Sequence, residues 1–265
     1  MANAGLALAG GGQRRRADRI DTGPRYSATD AVRMNHMFRG RDTSEMLSAL
    51  FADNMLGDAA IVSSFGAESA VLLHLIGSIR PDIPVLFLET GKHFPETLAY
   101  RDLLVQRIGL TNLQNITPDP ALLIKKDENG LRWSYDPDGC CDIRKVLPLK
   151  AALAPYDAQF SGRKAFQAET RTNLPRFEVE EGRLKVNPLI DWDKARIEAY
   201  STGHNLPAHP LVAAGYPSIG CAPCTSRVAP GEDPRSGRWK GWDKVECGIH
   251  TPALSDDNGA NDPIF

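Results

Sequence analysis

Met46, Leu47, Leu50, Phe51 and Leu56 recur at the spacing of one buried helical face, and ordered structure is expected to begin there. A short apolar run over 59–63 then reads as a buried strand, 64–67 as a turn, and Glu68 to about Ser78 as a helix. The unit recurs. Residues 85–88 read as a second buried strand and 89–94 as a loop, and Pro95 suits the first turn of a helix that runs to about Ile108. Further strands are expected near 113–116 and 158–161, a hairpin across Glu181 and Gly182, and helices near 141–153 and 193–201. Buried parallel strands need crossover helices on both faces, so the pattern predicts an α/β fold: a doubly wound, mostly parallel sheet flanked by helices. Residues 1–28 lack periodicity and read as a mobile tail before a body over 29–228. Beyond Gly203 the Pro and Gly density rises, so 229–265 reads as an irregular, mobile C-terminal arm.

Composition narrows the class. The 265 residues carry 31 Lys+Arg against 33 Asp+Glu, a net charge of −2, so no overall field points to a nucleic-acid partner. The longest apolar runs fall far short of the roughly 18 residues a membrane span requires. The apolar start is followed, not preceded, by Arg14, Arg15 and Arg16, the reverse of a secretory signal. Five cysteines are an odd number, and two of them, Cys140 and Cys141, are adjacent. That disfavours a secreted disulfide framework and favours thiols that bind metal or react in a reducing compartment. A soluble cytoplasmic protein with no membrane partner is expected; whether it forms a homo-oligomer is left open by the sequence.

In a doubly wound sheet, ligands sit outside the carboxyl ends of the strands. The first such loop, with Ser63, Ser64, Gly66, Glu68 and Ser69, offers hydroxyls and backbone amides at a helix start, as a plain helix cap or as an anion cradle. It is neither a Walker A loop nor a GxGxxG fingerprint. The second loop, Leu88-Glu89-Thr90-Gly91, ends the neighbouring strand. Together these loops resemble the modified phosphate loop and the Leu-Asp-Thr-Gly turn of the PP-loop adenine-nucleotide superfamily, with Glu89 in place of the usual Asp. Ser161-Gly162-Arg163-Lys164, Gln167 and Thr170-Arg171 are similar to that superfamily's Gly-x-Arg-Arg-x-x-Gln segment, departing at Ala165.

Cys221-Ala222-Pro223-Cys224 is a CxxC pair, and with Cys140-Cys141 it makes four thiolates that suit a structural zinc or a 4Fe-4S cluster. On a helix, neighbouring side chains diverge by about 100°. Adjacent cysteines therefore serve one small ion awkwardly, whereas a cubane offers them separate iron corners. Cys247 would then be the free thiol, in a Gly-containing segment with Lys244 and His250 close in sequence, and nearby positive charge raises thiolate content. Cys-Cys, CxxC and Lys244-Val245-Glu246-Cys247-Gly248-Ile249-His250 occur in the order of the iron–sulfur assimilatory sulfonucleotide reductases, and the resemblance spans about residues 45–250.

That resemblance implies a chemistry. Cys247 would attack the sulfur of adenosine 5′-phosphosulfate, expel AMP and become an S-sulfocysteine, from which a second thiol releases sulfite for cysteine biosynthesis. With four cysteines committed to iron, the second thiol must come from a partner, a low-potential dithiol such as thioredoxin or a glutaredoxin-like protein. The anionic substrate calls for cations, and Lys145, Arg163, Arg235, Arg238 and His250 are the candidates, beside Ser63, Ser64, Gly66, Glu68, Ser69, Glu89, Thr90 and Gly91 from the nucleotide loops. Lys145 would also offset the charge of a four-thiolate cluster. Alternatives are a reductase of the 3′-phosphorylated nucleotide, a PP-loop ATP-dependent tRNA sulfurtransferase, and a zinc-stabilised nucleotide-binding module without catalysis.

Overall fold

A computed structural model describes residues 25–167 and 171–249. Within them Ala59–Val62 (β1), Val85–Leu88 (β2), Leu113–Ile116 (β3), Ala158–Phe160 (β4), Phe177–Glu180 (β5) and Arg183–Val186 (β6) form one sheet in the order β3-β2-β1-β4-β6-β5. All neighbours are parallel except β5, which returns antiparallel to β6 through the tight turn at Glu181 and Gly182. The four strands and the hairpin expected from the sequence are present.

Alternation along the strands buries both faces. Ile61, Val85 and Phe87 enter a core with residues of Ala28–Met37 (α1), Thr43–Ala52 (α2), Ser69–Gly77 (α3) and Pro95–Ile108 (α4). The intervening residues Ala60 and Leu86 point the other way, onto Leu149, Leu153 and Tyr156. This two-sided cover is what a parallel sheet requires. Among the described residues, no helix is long and apolar enough to cross a membrane.

Several elements depart from the sequence expectation. Order begins before Met46, with α1. This helix buries only Ala31 and Met34, too narrow a stripe to register as periodicity. Its signal was instead the start: the Ser27 hydroxyl accepts from the Asp30 amide while the Asp30 carboxylate accepts from the Ser27 amide, a capping box. The Asn35 amide bonds both backbone groups of Phe177, which closes off the edge strand β5. Pro120–Lys126 (α5) was also unforeseen, because it buries none of its residues. The helix expected over 141–153 starts earlier, at Pro137–Cys141 (α6), passes through a π-helical turn at Asp142–Val146, and resumes as Leu147–Leu153 (α7). Lys194–Gly203 (α8) matches expectation, and the short Pro210–Ala213 (α9) interrupts the irregular region.

Candidate active site

The strand order reverses at β1, whose neighbours β2 and β4 lie on opposite sides, and the residues following these strands converge on a cleft of about 960 Å³. The turn after β1 is strained: Phe65 takes φ = 49°, a left-handed conformation that costs a bulky residue about 1–2 kcal/mol. Its ring is fully buried edge-on to Phe87, and its amide donates to the Ser63 hydroxyl, so the surroundings hold the strain in place. The chain then enters α3 with no side-chain cap, leaving first-turn amides available to an anion. Ser63, Ser64, Gly66, Glu68 and Ser69 all line the cleft.

Other expected contacts divide. Thr90 lines the cleft, but Glu89 and Gly91 do not: the Glu89 carboxylate accepts the Gly91 amide at 2.9 Å and stabilises its own turn. Arg163 lines the cleft yet is committed to the protein, donating to Ser161, Asn187 and Glu178. Glu68 likewise pairs with Lys164 Nζ at 3.0 Å and accepts from Gln167. His250 and Thr170 lie outside the described residues.

Cys140 and Cys141 close α6, both buried, and Cys221 is bridged to His93 on the turn after β2. The Thr90 hydroxyl lies 3.4 Å from the Cys221 sulfur. Burial pushes the Cys140 and Cys141 thiols up to about 11; Cys221 acts electrostatically on both and Cys224 on Cys140, so the four sulfurs share one neighbourhood. Burial also opposes the Cys221 thiolate, but Lys145, the Thr90 hydroxyl and Arg238 outweigh it and lower its pKa. Among the described residues, no three His, Cys, Asp or Glu side chains converge as ligands of a single ion must. The thiols of Cys140, Cys141 and Cys221 are buried and that of Cys224 is half-buried, a donor set of the chemistry that a 4Fe-4S cluster or a zinc uses.

The π-helical turn that follows the cysteine pair aims two cations differently, and such turns recur at functional sites. Arg144 is buried and turns to Asp127, with Nη2 at 2.6 Å and Nε at 3.0 Å, and donates to the Thr90 carbonyl. Lys145 faces the cleft. Burial works against its charge, but attraction to the sulfurs of Cys221, Cys247 and Cys141 prevails and holds the ammonium above the ordinary lysine value.

The C-terminal segment packs onto this floor. Trp239 is buried, and its amide donates to the Cys224 carbonyl. The Arg238 guanidinium stands 4.4 Å from the Trp239 ring and fills the space where Gly220 has no side chain; its Nε is buried without a partner among the described residues. Arg235 reaches both the Val245 carbonyl and Glu246. Burial lowers its pKa against the opposing pull of Glu246, with Arg171 and Arg238 adding repulsion. Arg235, Arg238 and Cys247 all line the cleft that holds the nucleotide-loop residues.

Residues 58–227 match the phosphoadenosine phosphosulfate reductase domain. The chain belongs to this family. It is 54% identical over 197 residues to the adenosine 5′-phosphosulfate reductase of Mesorhizobium japonicum, covering 74% of this chain and 78% of that protein. A protein of the same name from Chelativorans is 52% identical over 198 residues, 75% of this chain and 81% of the relative. Among solved structures, the phosphoadenylyl-sulfate reductase of Candida auris, a phosphate complex, aligns with a TM-score of 0.63 at 26% identity, covering 77% of this chain and 98% of that one.

The family match ends at Arg227, so Arg235, Arg238 and Cys247 reach the reductase cleft from outside the matched domain. Two arginine pairings near the cleft have no counterpart in the local sequence pattern. Arg144 is significant only through Asp127, seventeen positions earlier, and the role of Arg171 depends on Glu246, 75 positions later. No local pattern encodes either pairing; the only signal for Arg171 was its place in the basic segment after β4.

Proposed function

We propose that this sulfonucleotide reductase moves the sulfo group of adenosine 5′-phosphosulfate onto Cys247 and releases it as sulfite, with thioredoxin or a glutaredoxin-like dithiol as donor. The observation that carries this reading is the single cleft lined by Ser63, Ser64 and Gly66, by Lys145, Arg235 and Arg238, and by Cys247. Relatives named adenosine 5′-phosphosulfate reductase support the same choice of nucleotide.

The Cys247 sulfur attacks the sulfate sulfur in line with the bridging oxygen, and the S–O bond breaks with its electron pair leaving on AMP. Arg235, Arg238 and Lys145, which line the cleft, receive the charge that develops on the phosphate, as preorganised cations do. A thiolate of the donor then attacks the Cys247 sulfur, and sulfite leaves with the electron pair of the S–S bond. The donor's second thiol frees Cys247 and leaves the donor as a disulfide. Sulfur gains two electrons and the dithiol loses two.

Cys140, Cys141, Cys221 and Cys224 would hold a 4Fe-4S cluster. Bound there, it supplies a fixed, negatively charged centre and needs no redox change for this two-electron thiol chemistry. Lys145 offsets that charge while drawing the substrate anion into the cleft. A reducing dithiol donor places the reaction in the cytoplasm.

Sulfite release measured with the 3′-hydroxyl and 3′-phosphate nucleotides, each with and without thioredoxin, tests the reading. Release that requires thioredoxin and has the higher kcat/KM for the 3′-hydroxyl form is expected. The opposite preference would reassign the substrate, and no sulfite from either would overturn the proposal.

A further inference from the structure

Glu246, next to Cys247 in sequence, occupies two of the arginines that line the cleft. One oxygen of Glu246 accepts from both Nε and Nη2 of Arg171, at 2.9 and 2.7 Å, and the other lies 3.2 Å from Arg235 Nη2. The carboxylate is thus held on two sides by guanidinium groups, the geometry in which arginine takes a phosphate or sulfate. Glu246, Arg171 and Arg235 all line the cleft. Arg171 is further oriented by Gln167, whose side chain also bonds Glu68 at the nucleotide loop, so the clamp is wired to the nucleotide end of the cleft. Arg235 donates to the Val245 carbonyl as well, which ties the backbone just before Cys247 to the same guanidinium.

These contacts create a conflict that the reaction must resolve. A negative charge on Glu246 sits where an anionic substrate needs cations, and the contacts that fix Cys247 inside the cleft hinder a donor protein from reaching its sulfur. We propose that Glu246 is a placeholder for the substrate anion: it holds Arg171 and Arg235 in the nucleotide-free chain, and the nucleotide's phosphate or sulfo group displaces it, loosening the segment that presents Cys247 to the donor. Resting on the function proposed above, this makes Glu246 a positioning residue and gives substrate binding and thiol exposure one shared step. Exchange of one carboxylate for another anion keeps the arginines paired throughout, so neither state leaves their charge buried and unpaired.

The test uses the full chain, purified without oxygen, as wild type, Glu246→Gln and Glu246→Asp. AMP affinity is measured by calorimetry, and Cys247 alkylation by iodoacetamide is followed by peptide mass spectrometry with and without AMP. Glu246→Gln removes the competing charge and is expected to bind AMP about fivefold more tightly. Its Cys247 should be alkylated faster without nucleotide, at a rate AMP no longer raises. Glu246→Asp should restore the nucleotide dependence of alkylation. Equal or weaker AMP binding by Glu246→Gln, or a Cys247 alkylation rate in nucleotide-free Glu246→Gln equal to that of wild type, would overturn the proposal. If wild type fails to bind AMP, the proposed function falls, while the nucleotide-free alkylation rates still decide the role of Glu246.

Discussion

Lys145 is the side chain on which Cys221, Cys141 and Cys247 all act, and it faces the cleft. A charge-assisted contact is worth about 1.5–3 kcal/mol, so Lys145→Ala is expected to lower kcat/KM by roughly ten- to a hundredfold. If the four cysteines hold a cluster, its iron content should stay near wild type, because Lys145 is not a ligand; steady-state kinetics and iron analysis on the same sample check both halves. Shared location in the cleft was legible where it follows from residue type and local spacing. Ser63, Ser64, Gly66, Lys145, Arg235, Arg238 and Cys247, singled out by motif, do meet in one cleft. Motif reading gave no sign of the distant partners of such side chains, as Glu178 and Asn187 are for Arg163. The pairings of Arg171 and Arg144 were not legible, because their partners are brought close only by the fold.

At the scale of elements, the buried pair of Arg144 and Asp127 ties the end of α5 to the π-helical turn and to the turn after β2. Asp127→Ala leaves a buried guanidinium without its counter-ion and should cost about 3–5 kcal/mol in chemical denaturation. A second prediction concerns His209, which caps α9, bonds Thr97 from its other ring nitrogen and packs its ring, tilted, against Tyr100. Burial pushes its pKa down to about 4 from 6.5, against a smaller opposing effect of Glu96. Below pH 6.5 the unfolded chain therefore takes up a proton that the native chain refuses. The contribution is complete above that pH and is lost as pH falls toward 4, by up to about 3 kcal/mol. Denaturation midpoints measured from pH 7 to 4.5 should fall less steeply in His209→Asn, which keeps a capping side chain but cannot titrate. α3, which buries nearly all of its residues, was readable as an apolar run and α4 from Pro95 in its first turn; α1 and α5, which bury two residues and none, were not.

For the whole molecule, doubly wound topology explains why segments far apart in sequence share one site. The strand reversal at β1 gathers the loops after β1, β2 and β4, and the two cysteine pairs lie beneath them on α6 and the segment starting at Cys221. This architecture was legible in advance because alternating buried strands and helices admit few arrangements. The docking of residues 229–249 was not: the sequence reads as a mobile arm, and its Trp239 and Glu246 contacts arise only against the folded body. If the quartet holds a cluster, protein isolated without oxygen should be brown with about four irons per chain, and Cys224→Ser should lose most of that iron. One zinc per colourless chain would contradict it.

The central claim is that one sulfur, that of Cys247, receives the sulfo group. Sulfur-labelled adenosine 5′-phosphosulfate, mixed with the protein in the absence of any dithiol and followed by peptide mapping, tests it most directly. The account predicts about one label per chain on the peptide containing Cys247, discharged as sulfite when thioredoxin is added, and none in Cys247→Ser. Label on another cysteine, or undiminished sulfite production by Cys247→Ser, would contradict it.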